Sequence, residues 1–263
     1  MKATRTLLAA ATLPVLLAGC TATCSPEVGR LAQWSPQPGG SWQLQLTGTV
    51  DLAVDAEVFD IDGLDTPAST VTAIHDRGAR AICYISAGTY EDWRTDAGSF
   101  PGEILGNALS DWPGERWLDV RRLDALEPVI ARRMDICEEK GFDAVDPDNL
   151  DGYANDSGFP LSYEDQIRYN RMVAQLAHDR GLAVGLKNDL GQVTDLVGDF
   201  DFAVNEQCLQ YDECALLDPF VSAGKAVLHV EYELEPAEFC ESEPRGLSSI
   251  LKHLELGSWR LVC

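Results

Sequence analysis

The sequence predicts an α/β fold, a TIM-like (β/α)8 barrel that forms a single domain. From Trp42 onward, short runs rich in β-branched and aromatic residues alternate with longer stretches of helical periodicity. This alternation is typical of repeated βα units in a parallel sheet. Open doubly wound sheets contain the same local units. The number of predicted strands favours the barrel, because a TIM barrel closes with eight parallel strands.

The predicted strands are distributed along the chain and have apolar interiors. They cover residues 42–46, 56–61, 79–87, 116–120, 142–146, 183–188, 202–207 and 226–232. Helical patterns separate several of them, at residues 67–77, 126–140 and 163–180. Gly141 and Gly181 follow two of these patterns and are expected to end the helices.

The N-terminus is typical of a bacterial lipoprotein signal. Basic Lys2 and Arg5 precede an apolar run at residues 7–17, and small residues then lead to Cys20 in LAGC. Cys20 resembles the lipobox cysteine, whose thiol is acylated and which becomes the first residue of the mature chain. Ordinary secretion with a nearby cut and no lipid is the alternative. A transmembrane helix fits less well, because the apolar run is too short.

We therefore divide the chain into three parts: a signal peptide at 1–19, a lipid anchor and linker at 20–41, and the barrel domain at 42–263. No later stretch is long and apolar enough to span a bilayer. The sequence thus predicts an exported protein that is held at a bacterial membrane only by its N-terminal lipid, or that lies at the cell surface.

Acidic residues greatly outnumber basic ones. The chain has 43 Asp and Glu against 20 Lys and Arg, and removal of Lys2 and Arg5 with the signal would leave 18, for a net charge of −25. Such a surface repels nucleic acid and anionic lipid and favours cationic partners. An acidic coat that only keeps the protein soluble would explain the same charge.

Besides Cys20, seven cysteines are expected to form mostly disulfides, since the protein is predicted to be exported. The favoured pairs are Cys208–Cys214, Cys240–Cys263 and Cys83–Cys137. This leaves Cys24 without a partner, and the sequence alone does not fix the connectivity. The chain has no C-x-x-C pair and no Cys/His cluster, so no metal site is predicted.

Polar residues recur at the carboxyl ends of the predicted strands. Those ends open onto one face of a barrel, where the βα loops build the active site. An isolated acid after a strand is usually a helix cap or a turn residue, but convergence from at least five strands favours a site. The candidates are Asp60, Asp62, Tyr90, Trp93, Asp146, Asp148, Asn149, Lys187, Asn188, Asn205, Glu206, Glu231 and Tyr232.

Two candidates have alternative interpretations. Asp146 is equally well explained as a buried acid that accepts hydrogen bonds from the amides of a neighbouring loop. Lys187 could pair with a carboxylate and hold it ionised. Tryptophans near the strands offer indole faces that could stack on sugar rings, or that could simply pack within the barrel: Trp42, Trp93, Trp112 and Trp117.

Carboxylates accompanied by Asn, Lys, Tyr and Trp suit the hydrolysis of a glycosidic bond. One carboxylic acid protonates the leaving oxygen, while a second carboxylate attacks the anomeric carbon or activates water. The chain has no G-x-S-x-G elbow, H-E-x-x-H motif or Walker loop, and no G-x-G-x-x-G follows a strand. Other hydrolytic chemistries and a bound cofactor are therefore not predicted.

Six blocks of sequence, in this order, resemble glycoside hydrolase family 114. They are ICYISAGTYEDWR (82–94), WPGERWLDV (112–120), GFDAVDPDNLDGY (141–153), GLKND (185–189), FAVNEQC (202–208) and GKAVLHVEY (224–232). The resemblance implies a TIM-like barrel and an endo-acting, retaining hydrolase of α-1,4-linked galactosamine polymers. It matches Asp148 and Glu206 to the two family carboxylates, and we assign them as nucleophile and general acid/base. The resemblance extends from Trp42 to about Tyr232 and leaves the role of the residues after about Leu234 open.

A cationic, partly deacetylated galactosamine polymer is the partner that the resemblance implies, and the negative charge of the protein would attract it. Retention requires the two carboxyls to lie roughly 5 to 5.5 Å apart. The other candidates would orient sugar hydroxyls or amines. A non-catalytic sugar-binding lipoprotein is the rival hypothesis, and a solute-binding protein that feeds a transporter is another. Both carboxylates are present and the βα series is uninterrupted, which argues against these rivals.

Overall fold

The computed structural model describes residues 34–242, 244 and 246–263, and eight of its strands form one parallel sheet. These strands are β1 (Trp42–Gln45), β2 (Val58–Asp62), β3 (Arg80–Ser86), β7 (Ala144–Asp148), β8 (Ala183–Lys187), β9 (Phe202–Glu206), β10 (Val227–Glu231) and β11 (Ser248–Leu251). They neighbour one another in that order. The predicted TIM-like barrel is confirmed.

The barrel is completed by contacts between its two edge strands. The indole Nε1 of Trp42 in β1 donates to the carbonyl of Ser248 in β11 at 2.8 Å. Beyond β11, the carbonyl of Leu256 accepts from the amides of Leu46 and Thr47 at 3.0 and 3.2 Å. The C-terminal segment therefore covers the seam of the barrel, near the carboxyl end of β1.

A second, antiparallel sheet interrupts the βα series after β3. It consists of β4 (Thr89–Glu91), β6 (Glu115–Leu118) and β5 (Leu105–Ala108), in that spatial order. We call it the inserted sheet.

The predicted strand 116–120 lies in the inserted sheet and not in the barrel, so this part of the prediction was wrong. Its apolar residues and the helix that follows it imitate a βα unit. The eighth barrel strand is β11, a short SSIL segment that the sequence did not reveal. The strand count was correct only because one error offset the other.

Helices cover the outside of the barrel. They are α1 (Ala68–Asp76), α2 (Leu123–Lys140), α3 (Tyr163–Asp179), α4 (Val193–Leu196), α5 (Asp218–Ser222) and α6 (Pro236–Ser242). The three predicted helices correspond to α1, α2 and α3. Ser162 and Asp165 form a capping box that fixes the start of α3. Gly141 ends α2 at φ +87°, a conformation that favours glycine.

The core has two parts. Trp42, Phe202 and Leu228 belong to a buried cluster that fills the barrel interior. A larger cluster, which includes Ile61 and Ile130, packs between the strands and the helices. Together they give the strands the near-continuous apolar character of a parallel sheet that is covered on both faces.

Three disulfides confirm the predicted pairs. Cys83–Cys137 joins β3 to α2, Cys208–Cys214 closes the loop after β9, and Cys240–Cys263 joins α6 to the C-terminus. The lipid-anchor prediction at Cys20, the signal peptide 1–19 and the unpaired Cys24 lie outside the described residues.

The described residues include some that precede the predicted start of the barrel domain at residue 42. Trp34 packs against the cluster in the barrel interior, and the guanidinium of Arg80 lies 5.9 Å from its ring centroid. Within the described part of the chain, none of the helices has the length and apolar character needed to cross a membrane.

Candidate active site

A cleft of about 440 Å³ opens at the carboxyl ends of the barrel strands. Seven of the predicted site residues line it, namely Asp62, Trp93, Asp148, Asn149, Lys187, Asn188 and Glu206. The other lining residues are Leu44, Leu46, Thr47, Asp65, Tyr84, Glu91, Arg94, Trp112, Glu115, Trp117, Asp151, Asn155, Leu254, Glu255 and Leu256. The cleft therefore receives side chains from the barrel, the inserted sheet and the C-terminal segment.

Lys187, the last residue of β8, lies at the centre of the cleft floor. Its Nζ is 3.2 Å from Asp148 Oδ1, 3.6 Å from Asp146 Oδ2 and 3.7 Å from Glu206 Oε2. Burial alone would lower the pKa of Lys187, but the three carboxylates hold that pKa well above its ordinary value. The ammonium thus stays charged and ties the ends of β7, β8 and β9 together.

Asp148, at the end of β7, is oriented by three donors. Lys187 approaches Oδ1, the amide of Asn149 donates to the same oxygen at 2.8 Å, and the hydroxyl of Tyr84 donates to Oδ2 at 2.7 Å. Its side chain is 18% exposed, on the cleft side. A carboxylate that is fixed in this way and still reachable suits a nucleophile.

Glu206, at the end of β9, is held from two sides. The hydroxyl of Tyr232 donates to Oε1 at 2.5 Å, and Asn188 Nδ2 donates to Oε2 at 3.1 Å. Because the same Lys187 Nζ lies 3.2 Å from Asp148 Oδ1 and 3.7 Å from Glu206 Oε2, these two oxygens can be at most about 6.9 Å apart. The two carboxylates therefore face one shared space.

The chain turns sharply directly after each of these strands. Asn149, Asn188 and Gln207 follow β7, β8 and β9 with φ of 64°, 51° and 62°, in the left-handed region. Such residues cost free energy and cluster at functional sites. The turn at Asn149 is also tightly packed, because a Cβ placed on Gly88 would lie 1.6 Å from the Asn149 carbonyl oxygen. The backbone around Asp148 is thus fixed by its neighbours.

Asp60 and Asp146 lie beneath the cleft and do not line it. Both are fully buried, and among the described residues no hydrogen-bond donor reaches their carboxylate oxygens. Burial, followed by the charge of Asp146, raises the pKa of Asp60 well above its ordinary value. Burial also raises the pKa of Asp146, to about 6, although Lys187 opposes the shift. Burial and the neighbouring carboxylate thus favour the protonated form of Asp60.

Asp60 and Asp146 are therefore not placed to contact a sugar in the cleft as predicted, because they are buried beneath it. The alternative interpretation of Asp146, hydrogen bonding to loop amides, is not seen within the described part of the chain either. Instead, Asp146 acts on the cleft through its ion pair with Lys187.

Glu231 lies on the outer face of β10 and not in the cleft. Side chains alternate along a strand, and Tyr232 is the neighbour that faces inward. Glu231 is fully buried, where its Oε1 accepts from the Leu209 amide at 2.8 Å and contacts His229 Nε2 at 2.8 Å. It therefore holds the loop that follows Glu206, and a shift of one residue along β10 accounts for its absence from the cleft.

Two further predicted residues, Asn205 and Tyr90, do not line the cleft. Asn205 Nδ2 donates to Asn188 Oδ1 at 3.3 Å, and that oxygen also accepts from the Glu206 amide at 2.9 Å. Tyr90 does not line the cleft and packs its ring edge-on against Phe100, with centroids 5.8 Å apart.

Comparison with known proteins identifies the family of the chain. The model of glycoside-hydrolase family GH114 matches residues 24–263. The chain belongs to this family. As a member of GH114, it is a glycoside hydrolase.

Solved structures agree with this assignment. Ega3 of Aspergillus fumigatus, crystallised with galactosamine, is 35% identical with a TM-score of 0.84, over 89% of this chain and 98% of Ega3. The glycoside hydrolase domain of PelA from Pseudomonas aeruginosa shares the fold at 15% identity, with a TM-score of 0.67 over 84% of this chain and 97% of that domain. No curated protein sequence matches the chain.

Two of the cleft acids that sequence reasoning missed, Glu115 and Asp151, have raised pKa values. Burial raises the pKa of Glu115 to about 7; the nearby charge of Asp148 adds to the shift, and a hydrogen bond from Thr89 opposes it. Burial, with the charge of Asp148, raises the pKa of Asp151 to about 6. Both lie in sequence blocks that resemble the family, which was the signal that could have identified them.

Asp62 is present in the cleft but is already paired. Arg94 Nη2 lies 2.7 Å from Asp62 Oδ2, and the same guanidinium contacts Asp65 at 3.1 Å and Glu91 at 2.8 Å. Asp62 therefore shapes the rim together with Arg94. Leu254 to Leu256 also line the cleft, and they come from the tail that the sequence left unassigned.

Metal ligation finds little support among the residues described. Cys208, Cys214 and His229 lie close enough to share an ion, but both sulfurs are bonded to each other. The ring nitrogens of His229 contact Ser249 and Glu231. A disulfide does not supply the thiolates that a metal requires.

Proposed function

We propose that this GH114 protein is an endo-acting, retaining hydrolase of α-1,4-linked galactosamine polymers, with Asp148 as nucleophile and Glu206 as general acid/base. One observation carries the proposal: a single ammonium, that of Lys187, lies within 3.7 Å of both carboxylates on the floor of an open cleft. The limit of about 6.9 Å on their separation is compatible with the roughly 5 to 5.5 Å expected of a retaining pair.

In the first step, an Asp148 oxygen attacks the anomeric carbon while Glu206 gives its proton to the leaving oxygen, and the glycosidic bond breaks. In the second step, Glu206 takes a proton from water, the water oxygen attacks the same carbon, and Asp148 leaves as a carboxylate. Two inversions retain the α configuration. The Tyr232 hydroxyl can donate to ionised Glu206 and accept from protonated Glu206, so it serves both forms.

The charge of the cleft supports a cationic substrate. Eight acids line it: Asp62, Asp65, Glu91, Glu115, Asp148, Asp151, Glu206 and Glu255. The two basic residues of the lining, Lys187 and Arg94, are both engaged in ion pairs. The ammonium groups of a deacetylated galactosamine chain would be attracted to this excess of negative charge. The bound galactosamine of Ega3 adds support from a relative at 35% identity.

Export to an oxidising compartment is part of the proposal, with attachment to the bacterial membrane through a lipid on Cys20. Three disulfides suit such a compartment. The attachment would hold the enzyme close to a surface polysaccharide.

Azide rescue tests the roles of the two carboxylates. With an activated aryl α-galactosaminide, azide should restore turnover of Glu206→Ala and give the α-galactosaminyl azide. Azide should instead give the β-azide with Asp148→Ala, because a single displacement inverts. The opposite pairing of products would reverse the roles.

The substrate is tested separately. Wild-type protein incubated with deacetylated α-1,4-polygalactosamine should release short oligomers that mass spectrometry detects. Binding without shortening of the chain would instead identify a sugar-binding protein.

A further inference from the structure

A second pocket adjoins the catalytic cleft on the inserted sheet. It has a volume of about 650 Å³ and shares Trp112, Trp117 and Asn155 with the cleft. Its other lining residues are Asn107, Ala108, Leu109, Ser110, Asp111 and Asp156. Three residues line both spaces, so the pocket directly borders the cleft, and we call the two together the groove. Each is within the size range of ligand pockets, about 300 to 1,000 Å³.

The walls of this pocket are fixed by contacts between β5 and the loop that follows β7. Asn107 Nδ2 donates to both the carbonyl and Oδ1 of Asp156 at 3.1 Å, and the Asn107 amide donates to the Ser157 carbonyl at 3.0 Å. A Cβ on Gly106 would lie 2.0 Å from that carbonyl oxygen. The pocket is therefore a built feature of the fold and does not depend on the position of one side chain.

The chemistry of the lining suits an aminosugar. Trp112, in the turn between β5 and β6, is 43% exposed, and its indole offers the aromatic face that binds cations best. Asp111 and Asp156 are exposed acids, and none of the lining residues is Lys or Arg. A protonated amine is attracted by all three side chains, while Asn155 can bind a hydroxyl.

We infer that this pocket is a distal subsite, which holds galactosamine units of the bound chain beyond those at the scissile bond, with an ammonium group over Trp112. The inference rests on the proposed function, because its occupant is the same polymer. Endo-cleavage requires the chain to continue past the catalytic carboxylates on both sides, and the second pocket offers space for one of these continuations. Binding of remote units lowers the barrier only for substrates long enough to reach them.

Two substrates separate this subsite from the catalytic residues. An aryl α-galactosaminide occupies the cleft alone, whereas a long α-1,4-galactosamine oligomer reaches the second pocket. In Trp112→Ala, kcat/KM should fall about fivefold to tenfold for the long oligomer and clearly less for the aryl substrate, because Trp112 borders the cleft as well as the second pocket. Trp112→Tyr, which keeps an aromatic face, should recover most of the loss.

Trp259→Ala is the matched control. Trp259 is also 43% exposed, but it stacks on His253 and lines neither space. Loss of the Trp259 indole should change kcat/KM for neither substrate.

Either of two results would overturn the subsite: an equal loss on both substrates, or an unchanged rate on the long oligomer. If wild-type protein cleaves no galactosamine polymer, the proposed function fails and the subsite fails with it. If wild type cleaves the polymer and Trp112→Ala cleaves it equally well, only the subsite fails.

Discussion

On one wall of the cleft, which we call the barrel wall, Asp148 and Glu206 lie 3.2 and 3.7 Å from the Lys187 ammonium. On the wall formed by the inserted sheet, no cation among the described residues forms an ion pair with Glu115, and Thr89 Oγ1 donates to one of its oxygens at 2.8 Å. All three carboxyls border the same cleft. Without a paired cation, Glu115 has a pKa of about 7 because of burial, so it changes charge near neutral pH.

The difference assigns separate tasks to the two walls. The barrel wall carries a fixed arrangement of charge that suits bond cleavage, because preorganised charges act without rearrangement during the reaction. The inserted-sheet wall carries aromatic faces and an acid whose charge depends on pH, which suits recognition of a cationic chain. Variants on the barrel wall should therefore mainly lower kcat, whereas variants on the inserted-sheet wall should mainly raise KM.

The largest effect is expected from Lys187→Met. Loss of the ammonium leaves three carboxylates facing one another, so kcat should fall about 10²- to 10³-fold or more. Removal of one partner of a buried ion pair should also cost about 3–5 kcal/mol of unfolding free energy. Steady-state kinetics and urea unfolding measure the two losses.

Lys225→Met is the control for Lys187→Met. The Lys225 ammonium donates to two backbone carbonyls, those of Val197 and Phe200, and does not line the cleft. Its loss should reduce stability without reducing kcat. A Lys187 variant that loses stability and keeps wild-type kcat would contradict the importance of the barrel wall.

A smaller effect is expected from Glu115→Gln. At pH 8 wild-type Glu115 is ionised, so the variant should raise KM for the long oligomer about fivefold to tenfold. At pH 6 Glu115 is mostly protonated, since its pKa is about 7, and the two KM values should nearly coincide. The ratio of variant to wild-type KM at each pH cancels the titration of the substrate amine. A ratio that does not depend on pH would disprove the role of Glu115.

Sequence reasoning predicted the barrel wall better than the inserted-sheet wall, for a physical reason. Asp148, Lys187 and Glu206 each end a parallel strand, and barrel geometry alone brings such ends together. Glu115 lies at the start of β6, in an antiparallel sheet whose position relative to the barrel depends on tertiary packing. Local pattern does not specify that position, which is also why residues 116–120 were mistaken for a barrel strand.

Two other errors came from features that a single sequence does not display. β11 is only four residues long and contains two serines, so its pattern resembles a loop. Asp60 and Asp146 were expected to contact substrate, but the sequence pattern of a strand does not show how deep in the barrel each residue lies. Each lies two residues before a cleft residue of its own strand, Asp62 and Asp148, and therefore on the same face but deeper in the barrel.

A still smaller effect on catalysis is expected from Asp60→Asn. The raised pKa means that folded Asp60 keeps a proton that the unfolded chain releases above about pH 4. Its contribution to stability is therefore present at low pH and declines as the pH rises. Asn has no such proton, so the decline in unfolding free energy from pH 5 to 7 should be shallower, with kcat/KM retained.

Urea unfolding at three pH values tests the Asp60 prediction, with Asp124→Asn as its control. The pKa of exposed Asp124 is lowered by a hydrogen bond from Arg122, so its replacement should not flatten the decline. An Asp60 variant with an undiminished pH dependence would mean that Asp60 is ionised in the folded protein.

The smallest catalytic effect is expected from Glu231→Gln, and it tests the register of the barrel wall. Val230 is the β10 residue paired with Glu206, so Glu231 is one position further along and points to the opposite face. Gln can still accept from the Leu209 amide but loses the charge beside His229, which should cost about 1–2 kcal/mol of unfolding free energy. The kcat/KM for the long oligomer should stay close to wild type, whereas the same substitution at Glu206 should nearly abolish cleavage of the oligomer, a poor leaving group. A severe loss of kcat in Glu231→Gln, at preserved stability, would place Glu231 among the reacting groups and refute the division between the two faces of the strand.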